Sequence, residues 1–294
     1  MGYTVTVRIT YTKGILKMTE YNDILYIVVP CYNEEAVLHE TSKRLKEKMT
    51  ALINEKKISD KSRVLFVDDG SKDKTWGIIE ELHSNDDLFS GLKLSRNKGH
   101  QNALLAGLMT AKDLADISIS MDADLQDDIN VVDQFVDKYH DGCDIVYGVR
   151  SSRKTDTVFK RGTAGMFYKF MRLLGVDIID NHADYRLISK RALEALSQFK
   201  EVNLFLRGIV KQIGFKSDIV YYERSERFAG ESKYPLKKML AFAFDGITSF
   251  SVKPIRLVTV VGFLVFLVSI AMIIYTIVQT CLGNTEAGWS SLMC

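Results

Sequence analysis

Asp122, Asp124 and Gln126 stand two residues apart on the stretch from Ile117 to Asp128, and their side chains could hold a metal ion. Two carboxylates and an amide oxygen are hard ligands. They suit Mg2+ or Mn2+, ions that take oxygen donors and leave coordination positions open for phosphate. The alternation of Ile117, Ser118, Ile119 and Ser120 predicts a strand. In an extended backbone residues two apart point to the same side, so both acids and the amide would face one way. An acidic turn that merely ends a strand and caps the next helix fits the same residues, and the surroundings must decide.

Polar groups recur where other strands are predicted to end. Residues 24–29 form a continuous apolar run, the mark of a strand buried on both faces. Pro30 closes it, and Tyr32, Asn33, Glu34 and Glu35 follow. Residues 64–67 form a second such run, which stops at Asp68-Asp69-Gly70-Ser71, and a strand over 144–149 runs into Arg150. A weaker strand is predicted over 92–94. Helices fall between: one reaching about Lys57, with Val37, Leu38, Leu45, Met49, Leu52 and Ile53 at helical spacing, then 76–82, 103–112 and 129–139. Strands that alternate with helices predict an α/β fold with a mostly parallel sheet covered on both faces. Ligands of such sheets bind outside the carboxyl ends of the strands, so the four polar clusters point to one shared site. A G-x-G-x-x-G fingerprint and a G-x-x-x-x-G-K-[ST] loop are both absent, which argues against a dinucleotide dehydrogenase and a P-loop NTPase.

Beyond Ser151 the pattern loosens. A helix over 159–174 carries Arg161 and Arg172, a short strand over 184–188 starts with Asp184, and a helix is predicted over 193–199. Residues 219–222 read as an edge strand before a loop with Arg227, Gly230 and Lys233, which suits a mobile phosphate clamp or a solvated basic loop. Residues 236–250 are amphipathic, with Lys237, Lys238 and Lys253 flanking a greasy face, as in a helix lying in a membrane interface. Residues 257–278 hold no charged residue and are long enough for one bilayer crossing. Lys253 and Arg256 precede this span and Glu286 is the sole charge after it, which places the large N-terminal domain in the cytoplasm by the positive-inside rule.

Of the 294 residues, 47% are hydrophobic and 26% charged, enough for a sizeable core. With 39 basic and 37 acidic residues the formal charge is +2, which gives no argument for nucleic acid as a partner. Cys31, Cys143, Cys281 and Cys294 form no C-x-x-C pair, so structural zinc is not expected. No secretory signal opens the chain. Residues 1–6 formally fit a short, common myristoylation pattern, and Met18 would serve equally as a start.

Pro30-Cys31-Tyr32-Asn33-Glu34-Glu35, Asp68-Asp69-Gly70-Ser71, Asn97-Lys98-Gly99 and Asp122-Ala123-Asp124-Leu125-Gln126 together resemble family 2 glycosyltransferases with the GT-A fold. Asp184-Tyr185-Arg186-Leu187, the Arg227 to Lys233 loop and the apolar tail narrow the resemblance to polyprenyl-phosphate hexosyltransferases, the group of dolichyl-phosphate mannose synthase and the bactoprenol-phosphate glucosyltransferases. The resemblance implies that Pro30, Tyr32, Glu34, Val67 and Asp69 hold the nucleoside and that Asp122 and Ala123 line the nucleotide site. It implies Mg2+ or Mn2+ on Asp124 and Gln126, bridging the diphosphate. Arg150, Arg227 and Lys233 would meet phosphate oxygens, and Arg161 would add to the acceptor side. Asp184 would be the base if one exists, or else a structural partner of an arginine.

The reaction so implied is inverting transfer of one hexose from a nucleotide sugar to a polyprenyl phosphate at the cytoplasmic face of a bacterial plasma membrane. UDP-glucose is the first expected donor, with GDP-mannose and UDP-N-acetylhexosamine as alternatives. Transfer to a glycan acceptor is a second reading, and a homo-oligomer stays open. Processive synthases of the same superfamily carry Gln-x-x-Arg-Trp, and neither Trp76 nor Trp289 sits in that motif. The expected organisation is an extension over 1–23, a catalytic domain over 24–233, juxtamembrane helices over 234–256, a transmembrane helix over 257–280, and a tail over 281–294. That tail would begin a second span such as bacterial relatives carry.

Overall fold

The computed structural model of the protein describes residues 21–151, 182–200, 206–225 and 253–283. These fall into two compact units. The first, built from residues 21–151, 183–197 and 215–225, holds the sheet.

In chain order the first unit runs β1 (Leu25–Cys31), α1 (Leu38–Asn54), β2 (Arg63–Asp68), α2 (Thr75–Asn85), β3 (Phe89–Lys93), α3 (His100–Leu114) and β4 (Ile117–Ser120). A 3-10 turn (Ile129–Val131) then leads into α4 (Val132–His140), β5 (Ile145–Arg150), β6 (His182–Ser189), α5 (Lys190–Leu196) and β7 (Ser217–Tyr222). Among the described residues the strands form one seven-stranded sheet in the order β3-β2-β1-β4-β6-β5-β7. The pairs β1/β2, β1/β4, β2/β3 and β5/β7 are parallel, and β6 runs antiparallel to β4. This is the expected mostly parallel α/β sheet.

The core follows from the apolar runs. Leu25, Ile27, Val28 and Val29 of β1 have no exposed surface, and neither do Val64, Phe66 and Val67 of β2. Helix α1 turns Leu38, Leu45, Met49 and Leu52 onto the sheet, and each fully buried leucine contributes about 2 kcal/mol from removed apolar surface. Cys31, Cys143 and Cys281 are free thiols.

Four expectations need correction. Pro30 does not close β1; it sits inside the strand opposite Val67. The β1/β4 ladder stops at Val28 opposite Ser120, so Pro30 lies where β4 has already peeled away and its missing N–H leaves no ladder bond unmade. The acids are not on an extended strand either. After Met121 N donates to Val28 O (3.1 Å) the chain turns, and Leu125 adopts φ +57°, so the same-side argument for Asp122, Asp124 and Gln126 does not hold. Strand β3 starts at Phe89, its buried anchor, because backbone pairing with β2 outweighs the weak pattern at 92–94. Helix α3 starts at His100, ahead of its apolar periodicity, because Gly99 supplies the φ +87° that turns the chain into it. The edge position predicted for β7 is observed.

The second unit includes α6 (Leu206–Gln212), which carried no predicted element, and α7 (Lys253–Cys281). Within α7, Val258–Cys281 spans 24 residues with mean hydropathy 2.7 and is long and apolar enough to cross a membrane. The helices predicted over 159–174 and 236–250 lie outside the described residues.

Candidate active site

The loops that follow β1 and β2 are tied together by short polar side chains. Asn33 N donates to Ser71 Oγ (3.0 Å), and Lys72 N returns a bond to Asn33 Oδ1 (2.8 Å). Glu34 N donates to Thr75 Oγ1 (2.9 Å) and Glu35 N to Asp73 Oδ2 (3.2 Å). Asp68 takes Ser71 N at 3.1 Å. Asp69, buried at the end of β2, accepts Lys98 N (2.6 Å) and Gly99 N (2.9 Å) on its two oxygens. That carboxylate therefore holds the entry to α3 in place. Gly70 is required between them. Its φ is +68°, and a Cβ there would lie 2.7 Å from the backbone of Arg96 and Asn97. Tyr32 and Glu34 are half-buried on this edge, while Pro30 and Val67 are buried register partners beneath it.

Strand β4 adjoins β1, which brings the acidic turn to the same edge. Thr41 Oγ1 donates to Ala123 O (2.8 Å) and anchors the turn to the start of α1. Asp124 Oδ1 accepts Gln126 N (3.2 Å). Asp122 keeps 36% of its side-chain surface, yet the protein packed around it raises its pKa, and the charges of Asp184 and Asp124 raise it further against the pull of His100. Negative charge is thus concentrated where a cation would relieve it. Among the described residues no group of three or more His, Cys, Asp or Glu side chains is poised on one point. The oxygen donors of Asp124 and Gln126 fit a hard divalent ion whose remaining positions go to ligand oxygens.

Two side-chain clusters flank the turn. In the first, Tyr222 of β7 faces Arg150 of β5 across the ladder. Its hydroxyl donates to Asp127 Oδ1 (2.5 Å) and accepts from Arg150 Nε (3.3 Å), while Arg150 Nη2 reaches Asp127 Oδ1 at 3.5 Å. Burial, reinforced by the charge of Asp122, pushes Asp127 up to about 6. Burial likewise drives the Tyr222 phenol far above its usual range. Gly148 makes room for the cluster, since a Cβ there would stand 2.9 Å from Tyr185 O and 3.1 Å from the Tyr222 ring.

The second cluster surrounds Asp184 of β6. Arg186, almost fully buried, bonds Asp184 Oδ1, and Gln101 Nε2 donates to Oδ2 at 3.2 Å. His100 Nε2 stands 3.7 Å from that oxygen and 3.6 Å from Asp122 Oδ1. Both Asp184 oxygens are engaged by donors, an arrangement suited to a fixed negative charge.

Asp122, Ala123, Asp124, Gln126, Arg150 and Asp184 thus gather at one edge of the sheet with Tyr32, Glu34 and Asp69. Arg161, Arg227 and Lys233 lie outside the described residues. His100, Gln101, Asp127, Tyr222 and Arg224 were given no role from the sequence, whereas Arg186 stood in the motif quoted with Asp184 and is the arginine that Asp184 partners. Asp127 was visible as part of the acidic run, and Tyr222 becomes visible only through the β5/β7 register. Arg224 donates to Gln126 Oε1, and Ser225 N donates to Gln126 O (2.9 Å).

The family model described as glycosyl transferase family 2 matches residues 26–197. An uncharacterized glycosyltransferase of Bacillus subtilis (strain 168), YkoT, is 58% identical over 94% of this chain and 82% of its own length. The prophage bactoprenol glucosyl transferase homolog of Escherichia coli (strain K12) is 38% identical over 91% of this chain and 85% of its own, as is the bactoprenol glucosyl transferase of Shigella phage SfV. Among solved structures, glucosyl-3-phosphoglycerate synthase of Mycobacterium tuberculosis, in a complex with Mn2+, UDP and phosphoglyceric acid, superposes with a TM-score of 0.50 at 18% identity. The match covers 81% of each chain.

Proposed function

This chain is a member of glycosyltransferase family 2 with the GT-A fold, and on that premise we propose that it moves one glucose from UDP-glucose to a polyprenyl phosphate at a membrane face. The observation that carries the reading is the meeting of Asp122, Asp124 and Gln126 with Arg150 at the carboxyl edge of the sheet. Relatives named as bactoprenol glucosyl transferases support the sugar and the lipid class.

Asp124 and Gln126 would hold Mg2+ or Mn2+. Such an ion, when bound, neutralises the charge that grows on the departing nucleoside diphosphate. Tyr32 and Glu34 border the place for the nucleoside, and Asp69 keeps the loop before α3 in the shape that closes it. Arg150, held by Tyr222 and Asp127, presents its guanidinium to phosphate oxygens in a fixed geometry. Arg161, Arg227 and Lys233 would add cations to the phosphates of donor and acceptor.

Asp184 bears on the acceptor. A sugar hydroxyl needs a base within reach, whereas a phosphate monoester with a second pKa near 6 is already an oxyanion at neutral pH. Arg186 and Gln101 engage both Asp184 oxygens, which favours an acceptor that needs no proton removed. Attack opposite the leaving group inverts the anomeric centre, so an α-linked donor gives a β-linked lipid phosphosugar. Helix α7 would anchor the chain in the bilayer where the lipid head lies, with the catalytic unit in the cytoplasm, and would replace a three-dimensional search by local encounter.

Membranes carrying the protein, given radiolabelled UDP-glucose, GDP-mannose or UDP-N-acetylglucosamine with Mg2+ or Mn2+, test this. The expected result is a chloroform-soluble, mild-acid-labile phosphosugar from UDP-glucose. Absence of any lipid product from all three donors refutes it.

A further inference from the structure

Arg224 lies two residues past the end of β7, and its guanidinium donates to Gln126 Oε1. The contact is reinforced one residue later, where Ser225 N donates to Gln126 O at 2.9 Å. Two bonds from consecutive residues to one residue fix the chain after β7 against the acidic turn. The guanidinium is brought into a field it shares with Arg150, Asp124 and Asp127. Its pKa is lowered, first by partial burial and then by the positive charge of Arg150, while Asp124 and Asp127 oppose the shift. A second arginine is thus held beside Arg150 although the two repel, because the acidic turn attracts both.

The oxygen that Arg224 takes is the one a divalent cation on Asp124 and Gln126 would need. A guanidinium at hydrogen-bond distance and a divalent ion bound to the same amide oxygen would place like charges a few ångströms apart, and the repulsion weakens the binding of each while the other is there. They exclude each other there. We propose that Arg224 competes with the divalent cation for Gln126 Oε1, and that the guanidinium displaced by the cation turns to the oxygens of the nucleoside diphosphate that arrives with it. Arg224 thereby becomes a donor-binding residue whose availability is coupled to metal occupancy. The inference rests on the metal reading of Asp124 and Gln126 given above.

Two consequences of opposite sign follow. Removing the guanidinium frees Gln126, so the metal alone binds more tightly; it also removes a phosphate ligand, so UDP binds more weakly once the metal is present. A residue that only orients Gln126 would weaken both when removed.

The test uses the full chain in detergent, with Mn2+ binding read from the electron paramagnetic resonance of the free ion and UDP binding by calorimetry in saturating Mn2+. R224A and the polar but uncharged R224Q are each expected to tighten Mn2+ binding about fivefold and to weaken UDP about tenfold, while R224K, which keeps the charge, stays near wild type in Mn2+ affinity. The Mn2+ effect should survive about 0.5 M KCl, because a direct contact is screened far less than a distant charge. Unchanged or weaker Mn2+ binding in R224A and R224Q overturns the competition, as does a gain that vanishes in salt. The control is D124N. If wild type binds Mn2+ and D124N does not, the metal reading stands whatever Arg224 does. If wild type binds no Mn2+, the metal reading fails and this inference with it.

Discussion

The loops after β1 and β2 and the groups gathered around β4, β5 and β7 share one sheet edge, but their polar side chains bond to different things. In the first region they bond to backbone. Asp69 holds two N–H groups of the loop before α3, Asp68 one of its own turn, and Asn33, Ser71, Asp73 and Thr75 cross-link the two loops. In the second most of them bond to one another: Tyr222 to Asp127, Arg150 to Tyr222, Arg186 and Gln101 to Asp184, Arg224 to Gln126, while Asp124 takes one backbone N–H, that of Gln126. Carboxylates spent on N–H groups shape a cradle, whereas side chains bonded to side chains can exchange partners with an arriving ligand. The first region should therefore answer to mutation in stability, and the second in turnover.

Asp124→Asn is the sharpest probe of the second region. Removing the one ligand charge offered to the cation should lower kcat about a hundred- to a thousandfold while the thermal midpoint in detergent moves by no more than a degree or two; a large fall in midpoint with proportionate activity would erase the distinction. Gly70→Ala probes the first. The φ of +68° and the 2.7 Å approach of a Cβ to the Arg96 and Asn97 backbone should together cost about 3 kcal/mol. Protein that still folds should retain most of its kcat once saturated with donor, and differential scanning fluorimetry beside a donor titration decides it. Tyr222→Phe stands between the two. It strips a donor from the buried Asp127 and an acceptor from Arg150, worth about 1–2 kcal/mol. It should reduce kcat about tenfold and leave the KM for donor nearly unchanged. A stability loss with kcat intact would move this cluster into the scaffold.

The same division explains what could be read from the chain beforehand. The parallel sheet was legible because β1 and β2 are uninterrupted apolar runs, and their terminal polar groups are contiguous motifs whose partners lie on neighbouring loops. Pro30 misled because a proline ends a strand only where its N–H would be needed, and the early departure of β4 was invisible. Leu125 at φ +57° likewise carries no signal in its own residue type. The side-chain clusters were illegible for a reason of distance. Tyr222 meets Asp127 from 95 positions away and Arg224 meets Gln126 from 98, and only the β5/β7 register and the chain turn after β7 bring them together.

The smallest effect lies in the first region and separates the two by pH. Burial alone would raise the pKa of Asp73, yet the bonds it accepts from the Thr75 hydroxyl and from the Thr75 and Glu35 N–H groups hold it below the usual carboxylate value, the reverse of Asp127, where burial prevails. A carboxyl lowered in the folded state adds stability above its unfolded pKa of about 3.9, and that stability disappears as pH falls through the lower folded value. Asp73 is partly open to solvent, so after screening its contribution is about 0.5 kcal/mol. Asp73→Asn should accordingly lower the unfolding midpoint slightly at pH 7, and the gap to wild type should close as the pH drops below about 4. A gap that stays constant down to pH 3 would mean that the Asp73 charge contributes nothing to joining the two loops, and that its neutral hydrogen bonds suffice.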